Sequence, residues 1–279
     1  MGRLDDGSDF TAQPIWLPPG ARGRLMGDTF CFASTGLISR ACRHSVTLVQ
    51  ALEPDKPLRV GTAQGLVEGQ LILVPPQTER TLNAEHSPFL MVDVEPIHID
   101  YRVLAGVGGR VGTLDHLAFD ALRQVGQGFL HDGLHGRELD HAVREALSQL
   151  TGHFPRPPAL DPRVRWMMTE IQSDPGRPLT DLAAELDLSV EHASRLFSSQ
   201  AGLPLRTYCL SSKIRLAARY LGRGRSLTEV AQMAEFADSA HFAKVWTRCY
   251  GAPPSVYFPV DRMQVDHSAL PRWIQPPRY

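Results

Sequence analysis

The chain of 279 residues lacks long apolar stretches, a secretory leader and a strong charge of one sign. No run approaches the roughly 18 apolar residues that cross a bilayer. The opening segment MGRLDDGSDF carries acids where a leader carries bases and then an apolar block. These absences predict a cytoplasmic protein that does not use a membrane. The composition, 43% hydrophobic and 21% charged, is typical of a folded protein, and the length favours two domains.

Cysteine is scarce and unpaired in the sequence. The four cysteines form no CxxC motif: Cys31, Cys42, Cys209 and Cys249. A cytosolic thiol is normally reduced, so neither a disulfide nor a thiolate metal site is expected. In the segment HDGLHGRELDH, glycines interrupt the helix that would group His131, His135 and His141, and no HExxH motif is completed. The sequence therefore predicts no metal and no cofactor.

The net charge of −1 hides an uneven distribution. No acid occurs between Glu191 and Glu229, whereas the basic residues there are Arg195, Arg206, Lys213, Arg215, Arg219, Arg223 and Arg225. A basic stripe within a nearly neutral protein indicates contact with a polyanion, and a solvated helix face is the alternative.

Short apolar runs separated by proline and glycine occupy residues 24–96 at a spacing of about 8–12 residues. They are DTFCFAS, HSVTLVQAL, LRVGTA, QLILVPP, ERTLNAE and FLMVDVEP. This pattern predicts strands of an antiparallel sandwich or barrel.

The pattern changes after the glycine-rich segment AGVGGRVG. Apolar residues then recur at three and four positions over residues 113–151, which predicts two amphipathic helices. Such a pair either covers the barrel or packs against its copy in a second chain. The proline-rich segment FPRPPALDPR is expected to be a stiff connector. We therefore predict an α+β protein divided into an N-terminal β-barrel with a helical pair (1–153), a linker (154–163), an all-α domain (164–258) and a tail without an assigned role (259–279).

The all-α segment contains an internal repeat. LTDLA, which begins at Leu179, matches LTEVA, which begins at Leu227, at an offset of 48 residues. After one extra residue, the segment from Ala193 to Gly202 matches the segment from Phe242 to Gly251 at an offset of 49 residues. The same unit is therefore written twice.

Each unit has the features of a helix, a tight turn and a second capped helix. Thr180 or Thr228 is predicted to cap the first helix, and Ser189 or Asp238 the second. The apolar residues of the second helix fall on one side and leave a polar face. These features predict a helix-turn-helix whose second helix enters the major groove of DNA. Between the units, LRTYCLSSKIRLAARYL predicts a helix of about 17 residues and about 25 Å, which would hold two such heads near one turn of B-DNA apart.

These segments resemble the two-headed DNA-binding domain of the AraC/XylS family of transcription regulators. The resemblance covers residues 161–258 and includes the linker with Lys213 and the closing segment YGAPPSVY. Asp187 and Glu235 stand where the family usually has a turn glycine. Lys213 replaces the usual Arg, and Ala240 the usual Ser. The departures weaken the second head more than the first.

The resemblance assigns DNA contacts to the polar faces of the two second helices and to the linker. Arg195 and Lys244 would be the main base or phosphate contacts, since Arg bonds guanine at two positions. The full predicted set is Glu191, Ser194, Arg195, Ser198, Lys213, Ser239, Ala243 and Lys244. The implied partners are double-stranded promoter DNA and RNA polymerase, and a homodimer is an open expectation.

The first 100 residues are similar to the cupin-like barrels that precede this domain in many family members, through RHSVTLVQALEP, LILVPPQTERTL and VDVEP. The metal ligands of a cupin are missing because His44 stands alone and Arg80 follows VPPQTE. A metal-free barrel can hold a small molecule in its mouth. The candidate lining residues are Trp16, Phe30, Phe32 and His44, although an aromatic residue in a strand is more often part of the core.

The sequence thus predicts a sequence-specific transcription regulator, and not an enzyme, that responds to a small-molecule effector or another signal through its barrel. Activation and repression remain open. One alternative is a cupin-type enzyme with a helical accessory domain. The other is a regulator-like protein whose second head has lost its function in DNA reading.

Overall fold

A computed structural model describes residues 20–117, 120–220, 224–257 and 263–266. Its strands lie in the first half of the chain, apart from one short C-terminal strand. They are β1 (Arg22–Met26), β2 (Thr29–Ser34), β3 (Leu37–Cys42), β4 (Val46–Ala51), β5 (Leu58–Thr62), β6 (Gly65–Gly69), β7 (Leu71–Val74), β8 (Glu79–Ala84), β9 (Phe89–Val94), β10 (Gly112–Thr113) and β11 (Met263–Asp266). The six predicted strands are confirmed as β2, β4, β5, β7, β8 and β9.

Helices fill the rest of the described chain. They are α1 (Tyr101–Ala105), α2 (Ala121–Leu130), α3 (Gly136–Thr151), α4 (Pro162–Ser173), α5 (Leu179–Ala184), α6 (Val190–Ala201), α7 (Leu205–Tyr220), α8 (Leu227–Met233), α9 (Ser239–Tyr250) and α10 (Pro254–Tyr257). The α+β fold class, with a β-rich N-terminal half and a helical C-terminal half, is confirmed.

The strands form two sheets. The larger has the order β10-β7-β4-β9-β2-β1-β11, and the smaller has the order β3-β8-β5-β6. Neighbouring strands are antiparallel except for the parallel pair β1 and β11, in which Gly23 lies opposite Met263. The C-terminal tail therefore contributes a strand to the edge of the larger sheet.

The larger sheet is covered on both faces, which explains why its central strands β2, β4 and β9 are buried at every residue. In β4, Val49 and Ala51 belong to the cluster between the two sheets, whereas Leu48 belongs to the cluster under the helices. The smaller sheet is covered on one face only. Its strand β8 alternates, with Thr81 exposed and Leu82 buried, because one side of each pleat faces solvent.

The helical pair covers the barrel. The apolar faces of α2 and α3 lie in one cluster with β4 and β9, and the buried side chains of Arg24 and Asp140 form an ion pair at 2.5 Å that joins β1 to α3. The predicted start of this pair near residue 113 is wrong. The Asp115 carboxylate accepts backbone hydrogen bonds from Gln70 and Leu71, so the chain continues along the sheet edge before α2 begins.

The helical half rests on the barrel half. Near α1, the Arg102 Nε donates to the Gln200 backbone oxygen at 2.8 Å. On the other side, α9 packs against β3, where Gly251 lies so close to the Arg40 backbone oxygen that a Cβ would be 2.5 Å from it. Each hydrophobic cluster runs without a break from the barrel half into the helical half.

Candidate nucleic-acid interface

Two three-helix units make up most of the helical half. The first head consists of α4, α5 and α6, and the second head of α7, α8 and α9. The predicted connector between the repeated units is α7, a single helix of 16 residues, or about 24 Å at 1.5 Å per residue. The repeat found in the sequence is therefore a repeat of structure, and α6 and α9 are the second helices of the two units.

The turns that precede α6 and α9 have the same backbone. Asp187 and Glu235 both have left-handed φ values, 53° and 60°. In each turn the next amide donates to a carbonyl five residues back, at 2.9 Å: Leu188 to Ala183 in the first head, and Phe236 to Ala231 in the second. The extra residue of the second unit is Ala237, which follows this shared turn.

The caps of α6 and α9, the two helices predicted to read DNA and called the reading helices below, were predicted correctly. The Ser189 side chain accepts from the His192 amide, and the Asp238 side chain accepts from the His241 amide. The caps of the preceding helices were predicted wrongly. Pro178 occupies the cap position of α5, where Thr180 was expected to provide it.

The cap of α8 is Ser226, two residues before the expected Thr228. The Ser226 hydroxyl accepts from the Glu229 amide, and the Glu229 carboxylate accepts from the Ser226 amide. This reciprocal pair makes Ser226 the cap, because it satisfies two backbone donors at once.

The reading face of α6 is exposed at Glu191 and Arg195 and half-buried at Ser194 and Ser198. The Ser198 hydroxyl donates to the Ser194 backbone oxygen at 2.7 Å. The opposite side of the helix is buried at Ala193, Phe197 and Ala201. The cluster predicted from the sequence is therefore brought together on one side of α6.

The predicted DNA-contact side chains of α9 are shorter than those of α6. Lys244 is exposed, Ser239 and Ala243 are half-buried, and the predicted set again lies on one side of the helix. The opposite side is buried through Phe242 and Trp246, whose rings are 5.7 Å apart. Both helices are amphipathic, and at the equivalent position of the repeat α6 presents an arginine, Arg195, and α9 a lysine, Lys244.

Lys213 lies differently from the other predicted contacts. Its side chain is half-buried, and its Nζ donates to the Glu235 backbone oxygen at 2.6 Å. The lysine thus connects α7 to the turn of the second head. Its assignment to DNA stays a prediction, and the structure gives its ammonium group an acceptor within the chain.

The basic stripe of the sequence is divided by the fold. Arg195, Arg206 and Arg225 are exposed, whereas Arg219 is buried and Arg215 is half-buried beside the Glu95 carboxylate. Arg223 lies outside the described residues. The cationic surface is therefore narrower than the sequence indicates.

A polar cleft with an internal volume of about 10 Å³, partly open to solvent, lies where the barrel meets α7 and α9. It is lined by Arg43, His44, Ser45, Glu95, Ser211, Ile214, Cys249 and Tyr250. The Arg43 guanidinium pairs with Asp93 at 2.7 Å and lies 4.5 Å from the centre of the Tyr250 ring. The Glu95 Oε2 accepts from the Ser211 hydroxyl at 3.2 Å.

Two groups in the cleft have shifted pKa values. Burial raises the pKa of Glu95 to about 7, and the Asp93 carboxylate adds to the rise while Arg215 and Arg43 oppose it. Burial lowers the pKa of His44 to about 4, and Arg248 lowers it further. Both groups are therefore held towards their neutral forms by the contact between the two halves.

The predicted ligand-lining residues are not brought together as one pocket wall. His44 lines the cleft, where the Cys249 sulfur lies 3.9 Å from its ring nitrogens. Phe30 packs edge-on against Tyr250, and Phe32 packs against Phe89 in the core between the sheets. Trp16 lies outside the described residues. The ligand pocket stays a prediction.

Sequence reasoning missed the cleft. Arg43, Glu95 and Tyr250 are far apart in the chain and belong to no motif. The cleft forms only when the halves meet, so no local signal identified it. Within the described part of the chain, no group of three or more His, Cys, Asp or Glu residues is placed to hold a metal ion. The same part contains no helix of the length and apolarity needed to cross a membrane.

Comparison with known proteins agrees with this geometry. Residues 182–259 match the family described as a helix-turn-helix domain. Transcriptional activator NphR from Rhodococcus is 27% identical over 96 residues, which are 34% of this chain and 28% of that protein. The match therefore spans less than a third of this relative's length.

The whole fold is similar to crystal structures of ToxT from Vibrio cholerae O395. One has a TM-score of 0.52 and 14% identity, covering 85% of this chain and 95% of that chain. Another, bound to (E)-4-(8-methylnaphthalen-1-yl)but-3-enoic acid, has a TM-score of 0.51 and 13% identity, with 85% and 96% covered. The arrangement of a cupin-like barrel before the helical half is thus a known fold. The chain carries a helix-turn-helix domain at residues 182–259.

Proposed function

We propose that this protein is a sequence-specific DNA-binding regulator of transcription, with α6 and α9 as the helices that enter the major groove. The observation that supports it most is the duplicated head. Two capped helices, joined by one connector, present Arg195 and Lys244 to solvent at equivalent positions of the repeat. A helix of this kind places its first turns against base edges.

The first head is the principal base reader in this proposal. Arg195 bonds guanine at O6 and N7 in two places, and Glu191 accepts from the amino group of cytosine. Ser194 and Ser198 stand beside them with shorter reach. In the second head, Lys244 contacts guanine or phosphate, Ser239 contacts phosphate near the helix start, and the Ala243 methyl group contacts a thymine methyl.

The barrel half is proposed to receive the signal. Both heads rest on it, so a change in the barrel alters their freedom to move. The cleft at Arg43 and Glu95 touches the barrel, α7 and α9, but it has room for about one water molecule, so an effector that binds there has to open it. The ToxT structure with a bound butenoic acid derivative supports a small-molecule input in a protein of this fold.

Activation is the favoured output because the curated relative is named a transcriptional activator. RNA polymerase is then a partner at the promoter. A homodimer would double the phosphate contacts and steepen the salt dependence of binding. Because the apolar faces of α2 and α3 are buried on their own barrel, dimerisation requires another surface.

The proposal is tested by selecting bound duplexes from a random-sequence pool with the full chain, then measuring affinity for the consensus at two salt concentrations. We expect one or two contacted segments and an affinity that falls as salt rises. Retention without sequence preference would contradict sequence-specific reading. The regulator-like alternative, which has lost DNA binding through its altered second head, predicts no salt-sensitive retention of DNA, and the cupin-type enzyme alternative predicts a bound metal and turnover.

A further inference from the structure

Glu235 occupies a position that favours glycine. It lies in the turn between α8 and α9 with φ at 60°, a backbone conformation that glycine adopts without steric cost and glutamate adopts less readily. Asp187 is in the equivalent turn of the first head with φ at 53°. A long side chain in such a turn calls for a contact that compensates for the strain.

Glu235 makes contacts to two other parts of the helical half. Its backbone oxygen accepts from the Lys213 Nζ, which belongs to the connector α7. Its side chain lies against Gly176, in the loop between α4 and α5 of the first head. A Cβ at Gly176 would be 2.8 Å from the Glu235 Cγ and 2.9 Å from its Oε2. The turn of the second head therefore touches the first head directly.

This inter-head contact, between Glu235 and Gly176, lies at the opposite end of the second head from its seat on the barrel. The barrel holds the C-terminal end of α9, at Gly251. A helix of 12 residues is about 18 Å long, so the contact at Glu235 lies about that far from the hold at Gly251. Glu235 lies just before the N-terminal end, where α9 presents its reading residues.

We propose that Glu235 is a positioning residue that fixes the distance and angle between the two reading helices, and thereby the separation of the two DNA segments that the chain reads. This inference rests on the proposed function. It assigns Lys213 to the same task, as the group that fastens the turn to the connector.

The test uses duplexes that carry the two selected segments at their preferred spacing or with one base pair inserted. One added pair moves the second segment by about 3.4 Å and about 35°. We expect the wild-type chain to lose at least about tenfold in affinity on insertion. Glu235→Gly, which keeps the turn conformation and removes the side chain, is expected to lose less than about threefold.

Three further variants isolate the contact. Glu235→Gln keeps the length of the side chain and is expected to retain the wild-type penalty. Gly176→Ala, at a position without left-handed φ, displaces the Glu235 side chain and is expected to relax spacing as Glu235→Gly does, with no added effect in the double variant. Asp187→Gly is the matched control in the first head and is expected to leave the spacing penalty unchanged.

A measurement without DNA separates this inference from the proposed function. Nitroxide labels are attached at Glu191→Cys on α6 and Ala240→Cys on α9, both exposed positions. Pulsed electron paramagnetic resonance then measures the distance between the two helices. We expect a narrow distribution that broadens in Glu235→Gly and stays narrow in Asp187→Gly. An unchanged distribution and an unchanged spacing penalty in Glu235→Gly would overturn the inference. Absence of any selected sequence would instead refute the proposed function, and the distance measurement would still decide the role of Glu235.

Discussion

The two heads share a backbone and differ in what supports them. The core of the first head continues into the cluster of α1, α2 and α3, where a Cβ at Gly202 would lie an ordinary 3.7 Å from Tyr101 and Ala105. The core of the second head continues into the cluster between the two sheets, where a Cβ at Gly251 would lie 2.5 Å from the Arg40 backbone oxygen. The same repeated unit thus leaves room beside its closing glycine in one copy and none in the other.

The reading faces of the two heads differ as well. The first head carries Glu191 and Arg195, which have the reach and the fork geometry for base recognition. The second head carries Ala243 and Lys244, a short side chain and a point charge. Under the proposed function, duplication therefore allows a division of labour, in which the first head is the principal base reader and the second head adds further contacts.

The largest expected effect on stability concerns the contacts of the two heads with the barrel half. Gly251→Ala should destabilise the folded chain by about 3 kcal/mol, since it combines left-handed strain with a backbone clash that cannot relax locally. Gly202→Ala has the same φ of 79° but only ordinary contacts, so it should cost about 1 kcal/mol. Urea denaturation of both variants measures the difference. Equal losses would show that the heads are seated alike.

The next effect is a pH dependence of the free energy of unfolding, which arises where the second head packs on the barrel. The pKa of Glu95 rises from 4.5 to about 7 in the folded chain, so its proton stabilises the fold, and this contribution is lost as pH rises from 4.5 through 7. Its full size is about 3 kcal/mol. The pKa of His44 falls from 6.5 to about 4, so its contribution has the opposite sign and is lost as pH falls from 6.5 through 4.

The two slopes oppose each other between pH 4.5 and 6.5, and Glu95 dominates between pH 6.5 and 7.5. We therefore expect the free energy of unfolding to fall over the upper window in the wild-type chain. In Glu95→Gln it should rise up to pH 6.5 and then level. Denaturation at half-unit pH intervals measures this, and a Glu95→Gln profile that matches the wild type would rule out the assignment.

A smaller effect separates the reading faces. Arg195→Ala should weaken binding to the selected sequence by about 1–3 kcal/mol and relax base choice at one position, because it removes a two-point contact. Lys244→Ala should cost less than about 1 kcal/mol and leave base choice intact. Arg144→Ala, an exposed arginine on α3, is the matched control. The measurement is the affinity of each protein variant for the consensus duplex and for duplexes with one base pair changed. Equal losses of affinity in Arg195→Ala and Lys244→Ala would contradict the proposed division of labour.

The smallest effect concerns helix starts. Ser226→Ala should destabilise the second head by about 1 kcal/mol through loss of the reciprocal cap. Thr180→Ala in the first head should change stability little, because the Thr180 hydroxyl donates to Asp181 and caps no helix amide. Thermal unfolding of the two variants compares them. A loss at Thr180 as large as that at Ser226 would contradict the observed caps.

The repeat was predictable because its helices depend on interactions between residues that are close in the sequence. Ser189 and Asp238 are short acceptors placed before apolar periodic segments, and such caps act within three residues. The caps of α5 and α8 were misplaced by two residues because Thr180 and Thr228 match in the repeat, whereas the actual cap positions, Pro178 and Ser226, differ. Local propensity located the helices but did not settle their first residues.

Some strands were likewise predictable from the local sequence, whereas others were not. Strand β4 was predictable because its sequence, VTLVQA, is rich in β-branched and apolar residues. Strand β3 was missed because it lies at the edge of the smaller sheet, with Ile38 and Arg40 exposed, and its interior neighbours come from distant parts of the chain. The predicted helical pair is present as α2 and α3, but its expected start near residue 113 was wrong because the Asp115 carboxylate accepts from the amides of Gln70 and Leu71, 45 and 44 residues away in the sequence.

The amino-acid sequence by itself determined the repeated heads, their connector, the main strands and the exposed cations of the reading helices. These follow from periodicity and capping, which operate over a few residues. Only the tertiary structure decided which basic residues remain on the surface, that Glu235 touches Gly176, and that Glu95 and Arg43 meet Ser211 and Tyr250. Those contacts join segments far apart in the chain, and their energies depend on burial that no local pattern encodes.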